Sequence, residues 1–272
     1  MKHIKANNGV EYLKSEILSA PHGFSTRVGG VSKPPHTSSL NLAFGRGDEK
    51  DTVLENLRLF AEAVGFDEKS TVSVSQIHSA DVRIVDESHA GQGYFAPEAF
   101  FCDGYVTTAP NVTIGVKTAD CVPILMEGYD KYGNLCAVGA VHAGWRGTVA
   151  GIAVNALEKL ISLGASVESV RVAIGPAICS DCFEVREDFY SSVKDMLGAE
   201  KADRFVIPDK KQVGIWHCDL RDMNRCFLLS AGVKAENIDV CRECTCCEPN
   251  LYFSHRYSGG KRGTALSVIR MP

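Results

Sequence analysis

The chain of 272 residues lacks several features, and each absence removes a class of function. No run reaches the roughly 18 apolar residues of a membrane span, so an integral membrane protein is not expected. The N-terminus, MKHIKANNGVEYLK, holds no continuous apolar stretch and does not read as a signal peptide. Positive charge is not in excess: 29 Lys and Arg stand against 33 Asp and Glu, for a net charge of −4. No global basic field therefore exists to hold nucleic acid or an anionic membrane. No repeat, low-complexity tract or linker interrupts the chain, which predicts one domain over residues 1–272. The expected compartment is the cytoplasm.

What the chain has is cysteine, eleven in all. The number is odd and the chain is long, so in a reducing compartment these thiols read as buried, metal-bound or catalytic rather than paired. The apolar pattern alternates between helix and strand. Residues 51–64 read as a helix with Val53, Leu54, Leu57, Phe60, Ala61 and Val64 on one face, Asp51 capping its start and Gly65 its end. Segments 22–30, 71–77, 101–108, 112–118, 121–127, 135–143, 167–174 and 264–270 read as strands, with 121–127 and 135–143 central. Helices are expected over 149–162, 185–197 and 218–231. Strands outnumber helices between 70 and 143, so a regular βαβ winding is not expected.

Three segments stand out: QIHSADV (76–82), KTADCVPIL (117–125) and AVHAGWRG (140–147). Each places a metal-ligand residue at the edge of a predicted strand: His78, Cys121 and His142. Two imidazoles and one thiolate suit zinc in a catalytic geometry with one position open. The alternative is two hydrogen-bonded histidines and a buried thiol. The same residues allow a nucleophilic Cys121 with His142 or His78 as base and Asp120 as the orienting carboxylate. HAGWRGT (142–148) leads from a strand through glycines into a helix, where free N–H groups and Arg146 could hold an anion, or simply join two elements. It lacks the Lys-Ser/Thr element of a Walker motif.

The segment 249–272 carries Arg256, Lys261, Arg262 and Arg270 and no acidic residue, so it reads as an anion site or a solvated tail. TSSLNLAFGRGD (37–48) adds Asn41 and Arg46. Cys241, Cys244, Cys246 and Cys247 crowd together, and Cys179 and Cys182 form a C-x-x-C. A second zinc or iron–sulfur site on these thiols stays open as the lesser reading, because adjacent Cys246 and Cys247 are poorly placed to share one ion. Cys102, Cys136, Cys218 and Cys226 read as small buried hydrophobes.

In order, QIHSADV, KTADCVPIL, AVHAGWRG, AIGPAI (173–178), CFEV (182–185) and FSHR followed by GGKRG resemble the laccase-domain, YfiH-like family. FSTRVGGVS (24–32) and SSLNLAFGRGD (38–48) are similar to its N-terminal part. The resemblance implies a single α/β (α+β) layered sandwich with mixed sheets, grouped with cysteine-hydrolase-like folds. It implies zinc, with copper possible, on His78, Cys121 and His142. It further implies a purine nucleoside phosphorylase acting on adenosine, inosine and methylthioadenosine, with adenosine deaminase activity at the zinc site. A cell-wall role in removing wrongly built muramyl precursors is also attributed to the family. One departure stands out: the family often has a second arginine where this chain has Tyr257.

Phosphorolysis makes physical sense of the pieces, because it needs an anion site, a stabilised leaving base and exclusion of water. Cys121, Asp120 and Arg256 are the expected catalytic residues. Asn41, Arg46, Gln76 and Arg146 are expected to bind substrate, with Arg256 and Arg46 or Arg146 on phosphate. The alternatives are a Cys121-dependent amide hydrolase of peptidoglycan precursors and a copper-dependent polyphenol oxidase. Eight histidines are few for a multicopper oxidase, and no His follows Cys121 closely as a blue-copper loop requires. The expected partners are purine nucleosides and phosphate, on a monomer or small homo-oligomer.

Overall fold

The computed structural model describes residues 1–272. Period-two alternation in two apolar strands builds its centre. In Val122–Tyr129, Ile124 and Met126 enter one buried cluster and Leu125 another. In Leu135–Ala143, Val141 and Ala143 join the first cluster, Val138 and Ala140 the second. Both faces of this sheet are therefore covered, which is why its strands read as continuous apolar runs.

The sheet has six strands in the order Ile238–Val240, Arg171–Ile174, Val122–Tyr129, Leu135–Ala143, Gly104–Thr107 and Val82–Ile84. It is antiparallel at its centre and parallel at both edges. A second six-stranded sheet runs Lys2–Lys5, Glu11–Lys14, His22–Ser25, Ala265–Arg270, Thr113–Thr118 and Thr71–Val72. Phe24, Ile114, Val116 and Ile269 of this sheet pack on Leu125, Val138 and Ala140 of the first. Helices cover the outer faces. Helix Lys50–Val64 sets Val53, Leu57 and Phe60 on Leu266 and Val268. Helices Ile152–Ser162 and Leu220–Ser230 set Ala156, Leu160, Met223 and Leu228 on the side of Ile124 and Met126. The result is a layered α/β sandwich with mixed sheets. A small third sheet, Glu184–Val185, Trp216–Cys218 and Val206–Pro208, lies with helices Glu187–Leu197 and Ala199–Phe205. No helix is long and apolar enough to cross a membrane.

Several local expectations need correction. The strand predicted over 71–77 stops at Val72, because side chains take the backbone groups that a neighbouring strand would bind. Val74 N–H donates to the Tyr105 hydroxyl at 2.8 Å, and Ile77 N–H donates to Asp103 at 3.2 Å. The helix predicted over 149–162 is broken at Gly151, whose φ of 80° is left-handed, into Trp145–Val149 and Ile152–Ser162. Asp51 is not the cap of its helix; it lies in the first turn, behind Glu49, while Gly65 ends the helix with φ 93°. The strand predicted over 167–174 begins only at Arg171, after a 3-10 turn at Val167–Ser169.

Candidate active site and metal centre

The two sheets end on one cavity of about 650 Å³. Its wall holds His78, Cys121 and His142, whose donor atoms lie within 4.8 Å of one another. His142 is the penultimate residue of the strand Leu135–Ala143 and is buried; Cys121 immediately precedes Val122–Tyr129, the strand paired with it. His78 comes from the loop after Val72. The rings of His78 and His142 meet edge to face, with centroids 4.8 Å apart.

Asp103 assembles two of these three residues. It is fully buried, and its carboxylate accepts from His78 N–H (3.0 Å), Ser79 N–H (2.6 Å), Ser79 Oγ–H (2.7 Å) and His142 Nδ1 (2.8 Å). The bond to Nδ1 leaves Nε2 of His142 to face the site, the usual carboxylate–histidine arrangement of a metal ligand. Burial alone would raise the Asp103 pKa, but the bonds from His142 and Ser79 and the His142 charge outweigh it and hold it at about 2. Burial likewise works against a charged His142, yet the neighbouring Cys121 and Asp103 raise its pKa to about 9. A place that stabilises an imidazolium so strongly stabilises a divalent cation by the same field. At His78, burial and the charges of His142 and Arg146 win over Asp103 and lower the pKa, leaving a neutral imidazole fit to ligate. The donor set, its orientation and its electrostatics therefore fit a zinc-class ion.

The glycines of HAGWRG make room for this arrangement. A Cβ on Gly144 would stand 2.6 Å from His78 Nδ1, and one on Gly147 would stand 2.6 Å from the Ser79 carbonyl oxygen. Arg146 is exposed and stacks on Trp145, its guanidinium 4.2 Å from the ring centroid; it does not line the cavity.

The cavity also gathers cations. Arg46, Lys117, Arg256 and Arg262 line it. Burial lowers the Lys117 pKa to about 8; Glu98 opposes this and Arg46 adds to it. Arg262 is lowered by burial and by Arg46, and its Nε–H is buried without a partner. Gln76 brackets Lys117: its Nε2 donates to the Lys117 carbonyl at 2.8 Å and its Oε1 accepts the Lys117 N–H at 2.7 Å. Phe44 and Phe183 supply aromatic wall.

The other expected residues are placed as follows. Asp120 does not touch His142. Its carboxylate accepts from Thr245 Oγ1 and from the Arg256 N–H, each at 2.7 Å. The Arg256 guanidinium donates to the carbonyls of Cys182 (2.7 Å) and Glu184 (2.9 Å). Asn41 is fully buried outside the cavity lining and spends its amide on Ala43, Asp48 and the Thr264 N–H. Sequence reasoning missed Asp103 and Lys117, and named Arg262 only as one of four cations in the basic segment 249–272. A charge within an otherwise apolar segment read as a strand was the available signal for Asp103 and Lys117.

A second group is one that the sequence left open. Cys179, Cys182, Cys244 and Cys247 have their sulfurs within 4.8 Å of one another. No third group of ligating side chains exists, and no three histidines cluster.

Comparison with known proteins agrees with this picture. A family model described as "Multi-copper polyphenol oxidoreductase laccase" matches residues 21–272. Adenosine deaminase RL5, from an unknown prokaryotic organism, is 36% identical over 265 residues, covering 96% of this chain and 98% of that one. A purine nucleoside phosphorylase of Deinococcus radiodurans is 34% identical, covering 97% and 94%. The crystal structure of YlmD from Geobacillus stearothermophilus superposes with a TM-score of 0.84 at 32% identity, covering 99% of each chain.

Proposed function

The chain belongs to the laccase-domain family matched by that family model, and from this premise we propose that it is a purine nucleoside phosphorylase with adenosine deaminase activity at the same site. The observation that carries the reading is one cavity holding both a His-Cys-His donor set and a cluster of cations. Adenosine, inosine and methylthioadenosine are the proposed substrates, with phosphate. The proposed cofactor is zinc, held by His78, Cys121 and His142 and positioned by Asp103. When bound, it supplies Lewis acidity toward the purine or a water.

This chain's own residues do the rest. Lys117, Arg46 and Arg262 hold the phosphate dianion, and Gln76 keeps Lys117 aimed by clasping its backbone. Phosphorolysis breaks the bond from C1′ to the purine and forms one from C1′ to a phosphate oxygen. Cations fixed around the phosphate place that oxygen against the sugar as positive charge develops there. Phe44 and Phe183 offer apolar surface to the base and exclude water. Asp120 and Arg256 shape the wall rather than meet the reacting atoms: both are tied to backbone or to Thr245.

The test is release of free purine from inosine and adenosine, with and without phosphate. Phosphate-dependent release with ribose 1-phosphate formed is expected. No release under either condition would overturn the reading. Replacing Cys121 is expected to abolish phosphorolysis and deamination together; loss of only one would refute a shared site. A second reading, an amide hydrolase, draws support from the Cys121, His142 and Asp103 array, which has the parts of a nucleophile, base and orienting carboxylate. It predicts activity that survives chelation but not thiol alkylation.

A further inference from the structure

Cys179-Ser-Asp-Cys182 and Cys244-Thr-Cys-Cys247 are two C-x-x-C turns whose halves stand 65 residues apart. The fold lays them side by side. Ala177 and Cys244 form a parallel bridge, the Thr245 N–H donates to the Ala177 carbonyl at 3.3 Å, and the Cys179 N–H donates to Cys244 Sγ at 3.2 Å. Each turn is closed on itself, by Phe183 N–H to the Cys179 carbonyl (2.9 Å) and by Glu248 N–H to the Cys244 carbonyl (3.1 Å). Two preformed knuckles thus present four sulfurs to one point.

We propose that Cys179, Cys182, Cys244 and Cys247 form a second, structural zinc site, separate from the cavity donors. Two paired C-x-x-C turns are the donor spacing of structural tetrathiolate zinc. Zn–S bonds of about 2.3 Å place tetrahedral sulfurs about 3.8 Å apart. The four sulfurs here lie within 4.8 Å, with Cys182 and Cys247 at 3.4 Å, so small side-chain adjustments close the tetrahedron. Cys246, whose neighbour Cys247 is a ligand, stays outside the group. Binding displaces four thiol protons to solvent and leaves about −2 net charge on the site. All four protein positions are filled, so the ion is a cross-link rather than a Lewis acid.

The cross-link bears on the cavity. Phe183, next to Cys182, lines it. Arg256 bonds the Cys182 carbonyl, and Thr245, inside the second turn, bonds Asp120 beside Cys121. The ion would pin the wall segments that carry these groups.

The experiment is zinc content of purified, exhaustively dialysed protein. Wild type should carry about one more zinc per chain than C179S/C247S, whether or not the cavity donors are loaded. C246S should match wild type, and C121A should keep the thiolate-bound ion. Equal zinc in wild type and C179S/C247S would overturn the proposal, as would loss of the ion in C246S. Should the double variant fail to fold, cobalt-substituted C121A keeps the question open to refutation. It should show the intense visible bands of a tetrahedral four-thiolate Co(II) centre. Their absence, or an isolated Cys182–Cys247 disulfide in place of four protected thiols, would refute the site.

Discussion

Asp103→Asn isolates the residue on which the cavity donors depend. The replacement keeps the shape but removes the charge and turns one acceptor oxygen into an NH₂ donor. That group would then face donors: on one oxygen the Ile77 and Ser79 N–H groups and the Ser79 hydroxyl, on the other the His78 N–H and His142 Nδ1. Asp103 is completely buried, so no water can take over the lost bonds. Leaving buried donors unpaired costs about 1–3 kcal/mol each, and more where a charge was the partner. The linkage gives a similar scale. A folded pKa of about 2 against an ordinary 3.8 corresponds to about 2 kcal/mol of stability from the ionised form. The folded value is the lower one, so this contribution is complete above pH 3.8 and is lost as pH falls through 2. Asp103→Asn should therefore destabilise by about 2–4 kcal/mol at pH 7 and abolish that acid limb. Loss of the carboxylate on His142 should weaken zinc binding at the cavity about 10–100-fold. Denaturant unfolding measures the first effect, and competition with a chelator on the C179S/C247S background measures the second. Unchanged affinity in a protein of lowered stability would refute the claim that Asp103 positions His78 and His142.

Lys117→Met should raise the KM for phosphate with little change in that for nucleoside. It should also raise Tm at pH 7: the folded pKa of about 8 lies below the ordinary 10.5, so the charged lysine carries a penalty complete below pH 8 that fades as pH rises from 8 to 10.5. Wild-type phosphate affinity should fall as pH rises through about 8, and a phosphate KM that ignores pH there would remove Lys117 from the anion site. Gly144→Ala drives a Cβ to 2.6 Å from His78 Nδ1, so it should lower cavity metal content while the circular dichroism spectrum stays native. A fully loaded Gly144→Ala would show that His78 is not a required ligand. Thr245→Val removes the 2.7 Å bond to Asp120 and should destabilise by about 1 kcal/mol, with a larger proportional loss in kcat/KM than in stability. Equal kcat/KM to wild type would uncouple Asp120 from the site.

The central strands were legible because apolar alternation and turn residues agree: Leu135–Ala143 has the bounds its sequence predicts. His78, Cys121 and His142 were legible as one ligand set from their residue types and from the family resemblance, and their donor atoms do lie within 4.8 Å of one another. What assembles them was not. Asp103 lies 25 residues from His78 and 39 from His142, and one carboxylate at the entry to a strand does not announce which loop it will hold. Lys117 was in view within KTADCVPIL, but only tertiary burial makes its charge costly and useful. Asp120, beside Cys121 in sequence, suggested itself as the orienting carboxylate; it lies in the bend between two strands, where its left-handed backbone (φ 91°) accompanies bonds to Thr245 and Arg256 instead. In the cysteine cluster, adjacency of Cys246 and Cys247 drew attention from the Cys244–Cys247 spacing, and its partner turn lies 65 residues away.

Two non-glycine residues at the site have left-handed backbone, His78 at φ 60° and Asp120 at φ 91°. Such conformations cost about 1–3 kcal/mol each and persist only where surroundings fix them. Each is held by a carboxylate that accepts backbone N–H, three from the His78 loop at Asp103 and one from Arg256 at Asp120. Asp103 holds the His78 loop, and the Asp120 carboxylate takes the Arg256 N–H while its carbonyl accepts from Ile178 at 3.0 Å. This explains why the chain leaves the strand ladder after Val72: a sheet there would use the N–H groups that Asp103 needs. It also separates the two proposed ions by role. In the cavity, Asp103 has placed two of the three donors before any ion arrives, so removing zinc there should spare the fold. At the four thiols no buried carboxylate brackets the sulfurs. There only one short backbone bridge joins the two turns, the ion would add the cross-link between them, and its removal should loosen the wall that carries Phe183 and Arg256.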